Sequence, residues 1–467
     1  MSGDRFIQAT ESLCPICLKV LPAEIKQRGD EVLLCRQCPE HGLFEEPIWR
    51  GQPDFESWRR PKMPAAGVRS HQEASRGCPY DCGLCPEHGQ HPCTILFEIT
   101  ERCNLRCPVC FADSGREENE FKPLAGLIEQ MRWIRGQSGE VVLQLSGGEP
   151  TLHPDLPALV AEGARLFPAV QLNTNGLKLA ENPALARELA EAGLSWVFLQ
   201  FDGVSDRVFE IIRGRPLLEK KKEALAACAQ AGLSVILVPT VAVGVNDDEL
   251  GELTRLAVNL APTVRGIHIQ PMTSAGRNSL PGAGHRLTLP EVLTRLGEQT
   301  RGLINIEQAF PPSCEHERCS FHLRFRRTEN GELIPAAGSE CCRKTGARPS
   351  PPAETAEART RSVEIILKSW LGAGLSAPSP AQPSGLTIPN IPMMAQPGPP
   401  APDAFDEFLA KTRRETFSIT CMAFQDAWTV DLERLRGCCV HIFRPPNRFI
   451  PFCACNLTAA DGQALYR

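Results

Sequence analysis

The feature that most restricts the fold of this chain is a group of three cysteines after a short apolar segment. Cys103, Cys107 and Cys110 are separated by three and by two residues, and the apolar residues 94–99 precede them. Such a loop can hold three irons of an iron–sulfur cluster, which normally has four cysteine ligands. Because no fourth cysteine lies close by, the spacing predicts a cluster with one iron open to an outside ligand. A zinc loop and a chance grouping of cysteines are the alternatives.

A Gly-Gly-Glu-Pro segment, residues 147–150, follows a second apolar stretch. Together with the three-cysteine loop it resembles the radical S-adenosylmethionine (SAM) superfamily, whose signature is a Cys-x3-Cys-x2-Cys loop plus Gly-Gly-Glu-Pro. The resemblance implies that the open iron binds the amino group and the carboxylate of SAM, and that Glu149 holds the methionyl ammonium. Glycine at 147 and 148 permits a close backbone approach. The implied SAM-contacting residues are Gly147, Gly148, Glu149, Pro150, Asn175 and Asp202.

Residues 95–300 alternate short apolar runs with helical patterns, which predicts a parallel sheet covered by helices. The predicted strands are 94–100, 141–146, 170–173, 196–201, 235–240 and 266–271, and the predicted helices are 123–135, 156–166, 183–192, 217–231, 247–260 and 290–301. The resemblance implies an α/β fold of the partial (βα)6 barrel type. Ligands bind at the carboxyl ends of parallel strands, so Asn175 and Asp202 converge there with the cysteine loop. Asp202 or Gln200 is the candidate for the ribose hydroxyls.

Two Cys-x2-Cys pairs near the N-terminus are separated by 17 residues. Cys14, Cys17, Cys35 and Cys38 therefore predict a four-thiolate site. Structural zinc and a single rubredoxin-like iron are both compatible with these ligands. Either metal would stabilise an N-terminal metal-binding knuckle too small to fold by apolar burial alone.

A second Cys-x3-Cys-x2-Cys group has a fourth cysteine nearby, so Cys78, Cys82, Cys85 and Cys93 predict a complete auxiliary four-iron cluster. A zinc site is the alternative, with His88 or His91 in place of Cys93. The later cysteines suffice for one more cluster in a C-terminal iron–sulfur domain. Its predicted ligands are Cys421, Cys438 and Cys453, with Cys314 or Cys319 as the fourth.

The chain divides into six predicted segments. They are the metal knuckle 1–60, an auxiliary cluster segment 61–93, the barrel 94–301, a cysteine-containing hairpin 302–345, a Pro-rich flexible segment 346–403 and a C-terminal auxiliary cluster segment 404–467. Asn330-Gly331 is the turn signal of the hairpin. Residues 363–371 could form an amphipathic helix that docks on the barrel or grips a lipid surface.

Composition limits the class of partner. A net charge of -5 provides no basic footprint for nucleic acid. The N-terminal residues lack the layout of a signal peptide, and no apolar run has the roughly 18 residues of a membrane span. We therefore expect a cytoplasmic protein, with contact at a membrane surface left open. The 21 cysteines predict metal ligands in a reducing compartment.

Longer phrases around residues 77–88, 103–112, 199–203, 238–247 and 450–453 resemble the tetraether lipid synthase group of radical SAM proteins. The resemblance implies a SAM-binding cluster, two auxiliary four-iron clusters and a rubredoxin-like iron. It also implies carbon–carbon coupling between lipid chains, and relatives of that group are radical SAM methylases of a pterin cofactor. The Pro-rich segment, Cys439 and Cys455 depart from that pattern, which places the substrate in doubt.

Three hypotheses of function follow, and no side chain is assigned as catalytic. A lipid-coupling enzyme predicts a long apolar tunnel, a radical methylase predicts a short polar pocket, and an electron carrier predicts no SAM cleavage. Both enzymes need a small-molecule or lipid substrate and an electron donor such as ferredoxin or flavodoxin. Among the remaining residues, Arg213 could anchor an anionic group, although an exposed helix-end arginine is the favoured interpretation. Cys228 is interpreted as a buried small hydrophobe and His268 as structural.

Overall fold

The structure, a computed structural model, describes residues 4–59, 74–83, 85–115, 120–278, 286–312, 315–328, 330–336 and 415–467. Cys314, the whole Pro-rich segment 346–403 and the predicted helix 363–371 lie outside these residues.

The N-terminal residues form a small antiparallel sheet. Its strands are β1 (Arg5–Leu13), β2 (Val20–Arg28), β3 (Glu31–Cys38) and β4 (Gly42–Arg50), in the order β1-β2-β3-β4. In β2 the side chains of Leu21, Ala23 and Ile25 are buried while Pro22 and Glu24 are exposed. This alternation is typical of a sheet with one face on a core.

A second, larger sheet forms the body of the molecule. Its strands up to residue 335 are β5 (Thr94–Thr100), β7 (Val142–Gly147), β8 (Ala169–Thr174), β9 (Trp196–Gln200), β10 (Val235–Val238), β12 (Val264–Pro271), β14 (Ser320–Arg327) and β15 (Leu333–Pro335). All seven residues of β5 are buried, as expected for a strand covered on both faces. Short strands β6 (Val109–Cys110), β11 (Thr240–Val241) and β13 (Arg277–Asn278) lie at the end of the sheet where the parallel strands terminate.

Helices connect the parallel strands. They are α1 (Leu124–Ser138), α2 (Leu156–Leu166), α3 (Leu177–Glu181), α4 (Pro183–Glu191), α5 (Asp206–Arg213), α6 (Leu218–Gln230), α7 (Leu250–Asn259) and α8 (Leu289–Thr300). α2 buries Leu156, Leu159 and Val160, one face of a 3.6-residue repeat. The predicted α/β barrel is confirmed, and every predicted helix and strand from 94 to 301 is present. None of the described helices combines the length and the apolar character that a membrane span requires.

The C-terminal segment extends the barrel at both edges. β16 (Thr416–Met422) pairs in parallel with β12, and β17 (Val440–Arg444) pairs in parallel with β5. β14 and β18 (Arg448–Pro451) then add antiparallel strands outside them. Sheet edges carry unpaired backbone groups, so these additions satisfy both edges of the six predicted strands.

Residues between β16 and β17 cross the open side of the barrel and contact the N-terminal sheet. Thr10 donates a hydrogen bond of 2.6 Å to Asp431, and Ser12 donates one of 2.6 Å to the carbonyl of Val430. The guanidinium of Arg36 donates to the carbonyl of Trp428 at 2.7 Å. The N-terminal sheet, the crossing segment and the barrel thus pack together around the carboxyl ends of the parallel strands.

Candidate functional site

A cavity of about 200 Å³ lies at the carboxyl ends of the parallel strands. Its wall includes all three cysteines of the loop between β5 and β6, namely Cys103, Cys107 and Cys110. Burial raises the pKa of Cys103 to about 12 and also raises the pKa of Cys107. Thiols in such surroundings ionise only when a metal displaces their protons. The donor set and its burial therefore fit an iron–sulfur cluster.

Two arginines that line the same cavity hold the backbone of the cysteine loop. Arg277 of β13 donates to the carbonyl of Cys107 at 2.8 Å and forms an ion pair of 2.8 Å with Asp113. Arg213 donates to the carbonyl of Val109 at 3.2 Å. Short loops that hold a cofactor need such fixed backbone positions, and here the carbonyls of the loop itself are held.

The Gly147-Gly148 pair is required by contact with this loop. A Cβ atom at Gly147 would lie 2.1 Å from the carbonyl oxygen of Thr100, and one at Gly148 would lie 2.2 Å from that of Arg102. The amide of Gly148 donates to Thr100 and that of Glu149 donates to Arg102, both at 2.8 Å. The close approach expected of these glycines is therefore made to the backbone that leads into the cysteine loop.

Glu149 is buried, and its carboxylate joins two strand ends. It accepts hydrogen bonds from the hydroxyls of Thr151 and Thr174 and from the amide of Asn175, the last at 2.7 Å. Pro150 begins a short 3-10 helix behind it. Glu149 lines the cavity, as a residue proposed to contact SAM should, and it also fixes Asn175. The side chain of Asn175 donates to Asn104 of the cysteine loop at 2.7 Å.

Asp202 is occupied by Arg213. The guanidinium donates to both carboxylate oxygens, at 2.6 and 2.7 Å, and the two side chains are 0% and 6% exposed. The amide of Thr240 donates to the same carboxylate at 3.0 Å. Gln200, the alternative for the ribose hydroxyls, lines the cavity, whereas Asp202 lies behind it. Arg213 is thus a buried residue of the site and not the exposed helix-end arginine expected from the sequence.

Lys221 is a buried cation that the sequence analysis missed. Its ammonium donates to the carbonyl of Asn175 at 2.6 Å and to the side chain of Gln200 at 3.2 Å. Burial lowers its pKa to about 8. Lys221 shares the buried face of α6 with Ala224 and Leu225. Its helical spacing from these apolar residues is the sequence signal that could have predicted its burial.

The N-terminal sheet gathers a compact set of metal-ligand types. The ligand atoms of Cys14, Cys17, Cys38 and His41 all lie within 4.8 Å of one another. Two ligands of one zinc ion, each at about 2.3 Å, cannot be much further apart than that. Burial opposes ionisation of Cys38, but hydrogen bonds from the amide of Glu40 and from His41 lower its pKa to about 6. This arrangement suits a single ion.

Cys35 is not part of this group, which corrects the predicted four-thiolate set. Its thiol lies 3.7 Å from Glu45 of the neighbouring strand. Cys35 and Cys38 both lie in β3, and residues three apart on a strand point to opposite faces. His41, in the turn before β4, occupies the fourth place.

We propose that this Cys3His site holds zinc, because a rubredoxin-like iron takes four thiolates. The variant His41→Ala is expected to lose most of about one bound zinc per chain. The variant Cys35→Ala should keep it, because the Cys35 thiol faces Glu45. Metal content of the two purified variants measured by mass spectrometry decides between the sets, and zinc loss in Cys35→Ala alone would contradict the proposed ligands.

The predicted first auxiliary group is brought together in part. The thiols of Cys78 and Cys82 are in hydrogen-bond contact, and Cys85 is close enough to Cys78 for the two thiols to interact electrostatically. Cys93 instead lies 3.0 Å, sulfur to sulfur, from Cys439. Cys93 directly precedes β5 and Cys439 directly precedes β17. The two strands pair in parallel with Thr94 opposite Val440, so the two cysteines also lie opposite one another. Of the alternates His88 and His91, His88 donates from Nε2 to the carbonyl of Cys438 at 2.8 Å.

The predicted second auxiliary group is also brought together in part. Cys319, Cys438 and Cys453 line one cavity of about 30 Å³. Burial raises the pKa of Cys438 to about 12, and Cys319 and Cys453 are close enough to interact electrostatically. Arg434 donates to the sulfur of Cys319 at 3.2 Å. Cys453 also lines the large cavity, so this group adjoins the candidate site.

Cys421 does not belong to that group. It lies in β16 with Phe417 and Ile419 on the buried face of the strand, in the hydrophobic core. Residues two apart on a strand share a face, and this face packs on apolar side chains. Cys228 is fully buried in α6, as expected for a small hydrophobe. His268 pairs with Thr420 at 2.8 Å, in agreement with a structural role.

Two family models match the chain. The model of the radical SAM superfamily matches residues 97–257. The model described as the HMPTM N-terminal zinc ribbon domain matches residues 6–50. The first covers β5 to α7 with the cysteine loop, and the second covers the four-strand N-terminal sheet.

Full-length similarity is found with a curated protein. The 7,8-dihydro-6-hydroxymethylpterin dimethyltransferase of Methanocaldococcus jannaschii is 32% identical over 96% of this chain and 93% of its own length. The GTP 3',8-cyclase of Peptoclostridium acidaminophilum is 31% identical over 39% of this chain and 57% of its length. Among solved structures, Streptococcus suis SuiB bound to S-adenosylmethionine has a TM-score of 0.37 at 16% identity and covers 46% of this chain and 48% of its own.

Proposed function

The chain belongs to the radical SAM superfamily, and from this premise we propose that it is a methyltransferase acting on a reduced pterin or a similar small heterocycle. The observation that carries the proposal is the similarity to the pterin dimethyltransferase, which extends over nearly the whole of both proteins. This similarity favours the radical methylase hypothesis over the coupling of lipid chains, although the sequence phrases had suggested the latter first. The GTP 3',8-cyclase, which matches a smaller part of this chain, is named for GTP, a nucleotide with a heterocyclic base. This similarity also favours a heterocyclic substrate.

The cavity has side chains that suit a heterocycle. Several amide side chains line it, and each offers both a donor and an acceptor. They are Asn173, Asn175, Gln200, Gln270, Gln425 and Asn456. A pterin ring carries donors and acceptors along its edge, so amides can pair with it and set its orientation. Phe111, Phe424 and Phe452 line the same cavity and provide apolar ring contacts.

Cys103, Cys107 and Cys110 would hold the four-iron cluster, and Glu149, Asn175 and Gln200 would contact SAM. When bound and reduced, the cluster with SAM supplies homolytic cleavage of the sulfonium and removal of hydrogen from an unactivated carbon. The contribution of this chain is to hold and orient these groups and to exclude water. Lys221 fixes the Asn175 carbonyl and the Gln200 amide from behind. An electron donor such as ferredoxin or flavodoxin would supply the reductant.

Anaerobic assay of the reconstituted protein tests this function. We expect 7,8-dihydro-6-hydroxymethylpterin to gain a labelled methyl group from SAM with a deuterated methyl, and 5'-deoxyadenosine to form, both read by mass spectrometry. Phospholipid in place of the pterin serves as the second arm. Coupled lipid chains with an unmethylated pterin would overturn the proposal in favour of lipid coupling. Absence of SAM cleavage with both substrates would remove both activities.

A further inference from the structure

A second cavity, of about 50 Å³, adjoins the candidate site. Pro271, Met272, Thr273, Phe424 and Gln425 line both cavities, so the two share one wall. The second cavity is otherwise bounded by the N-terminal sheet, the start of α8 and the segment between β16 and β17. Its remaining polar lining consists of Arg286, Thr288, Arg318, Thr429 and Arg434.

Arg318 and Arg434 are buried with donors left over. They are 7% and 8% exposed, and the Nε atom of each has no hydrogen-bond partner within the described chain. Arg318 stacks over the ring of Phe55 at 3.6 Å and donates weakly to Gln8 at 3.4 Å. Buried donors are normally paired, so the vacant Nε positions indicate an acceptor that binds from the cavity.

The charges around the cavity do not balance. Arg286 is neutralised by an ion pair of 2.8 Å with Asp426 and one of 3.7 Å with Glu46. Within the described ranges neither Arg318 nor Arg434 forms an ion pair with a carboxylate, and Arg434 donates to the sulfur of Cys319 at 3.2 Å. Uncompensated buried charge is costly, so an anionic ligand would stabilise this cavity.

We infer that the second cavity binds a phosphoryl group and that the substrate is a phosphate ester whose ring occupies the larger cavity. The inference rests on the proposed function for the identity of the ring. Guanidinium groups present several donors in a fixed fork that matches phosphate oxygens. Two such cations suit a dianion better than a single carboxylate.

Calorimetry with inorganic pyrophosphate on the reconstituted protein tests the subsite independently of turnover. Arg318→Met keeps a chain of similar length over Phe55 but removes the donors, and we expect its affinity to fall about tenfold or more. Arg265→Met is the matched control, because Arg265 is a buried arginine of β12 with unpartnered Nε and Nη2 atoms. Arg265 lies near the start of β12, whereas Pro271 at the end of that strand lines the second cavity. The pyrophosphate affinity of Arg265→Met should therefore equal that of the wild type.

Unchanged pyrophosphate affinity in Arg318→Met, or an equal loss in Arg265→Met, overturns the subsite. If Arg318→Met does not fold, Arg318→Gln, which also removes the charge and the guanidinium fork, replaces it, and wild-type affinity in that variant has the same meaning. Two competitors identify the source of the phosphoryl group: the diphosphate ester of the dihydropterin and phosphatidylglycerol in detergent micelles. The competitor that binds more weakly to Arg318→Met than to the wild type is the source. If both competitors bind the variant as tightly as the wild type, the inference is wrong. Pyrophosphate binding with no methylation of either the free dihydropterin or its diphosphate ester would instead mean that the proposed function has failed and the subsite has not.

Discussion

Replacement of Cys107 by serine is expected to reduce SAM cleavage by at least about a thousandfold, because the cofactor supplies the difficult chemistry. Cys107 is 7% exposed at the centre of the cysteine loop and lines the cavity with Cys103 and Cys110. A serine hydroxyl does not ionise to replace a thiolate. The variant should therefore lose up to about four irons per chain and form almost no 5'-deoxyadenosine.

Cys228→Ala is the matched control for this prediction. Cys228 is also a fully buried cysteine, but it lies in α6 against the hydrophobic core. Its replacement should leave the iron content and SAM cleavage close to those of the wild type, with a modest loss of stability of about 1 kcal/mol. Wild-type cleavage by Cys107→Ser would contradict the proposed cluster ligands, whatever the control does.

Local patterns were sufficient to predict the centre of the fold. The parallel strands are short, buried and apolar, and the helices between them have regular apolar faces, so both produce a signal within a single window of sequence. β5 was predicted with the bounds that the structure has, Thr94–Thr100. Glu149, Asn175 and Gln200, which were expected at the carboxyl ends of the strands, line one cavity, whereas Asp202 lies behind it. Parallel strands place those ends together.

The edges of the sheet could not be predicted in the same way. β17 is a five-residue strand whose partner β5 lies more than three hundred residues earlier, and the register joins Val440 to Thr94. Hydrophobic periodicity within a short window of sequence does not identify a pairing partner that lies so far away along the chain. The nearby cysteines were instead interpreted as ligands, and for Cys421 the strand alternation that places it in the core was overlooked.

Metal ligands were predicted from spacing, and spacing fails when a ligand pair lies within a strand. Cys35 and Cys38 have the separation of a metal knuckle, yet β3 continues through both residues. A knuckle must turn, and an extended strand sends the two side chains to opposite faces. His41 could have been found by asking which ligand-type residue follows Cys38 in the next turn.

The second large effect is expected at the buried pair of Asp202 and Arg213. Arg213→Met leaves the Asp202 carboxylate buried without a cation, and removal of one partner of such a pair destabilises by about 3–5 kcal/mol. Because Arg213 also donates to the carbonyl of Val109, the cysteine loop should loosen and SAM affinity should fall. Urea unfolding of the reconstituted protein, followed by fluorescence of the tryptophans, which include the buried Trp196 of β9, measures the loss of stability.

The double variant Asp202→Asn with Arg213→Met separates charge from shape. An amide in place of the carboxylate removes the buried charge, so the double variant should recover part of the stability that Arg213→Met loses, and the two substitutions should be non-additive. A surface pair provides the comparison. Glu162 and Arg165 form an exposed ion pair of 2.8 Å, and Arg165→Met should cost less than about 1 kcal/mol. Equal costs for Arg165→Met and Arg213→Met, or strict additivity in the double variant, would mean that the Asp202–Arg213 pair does not hold this end of the barrel together.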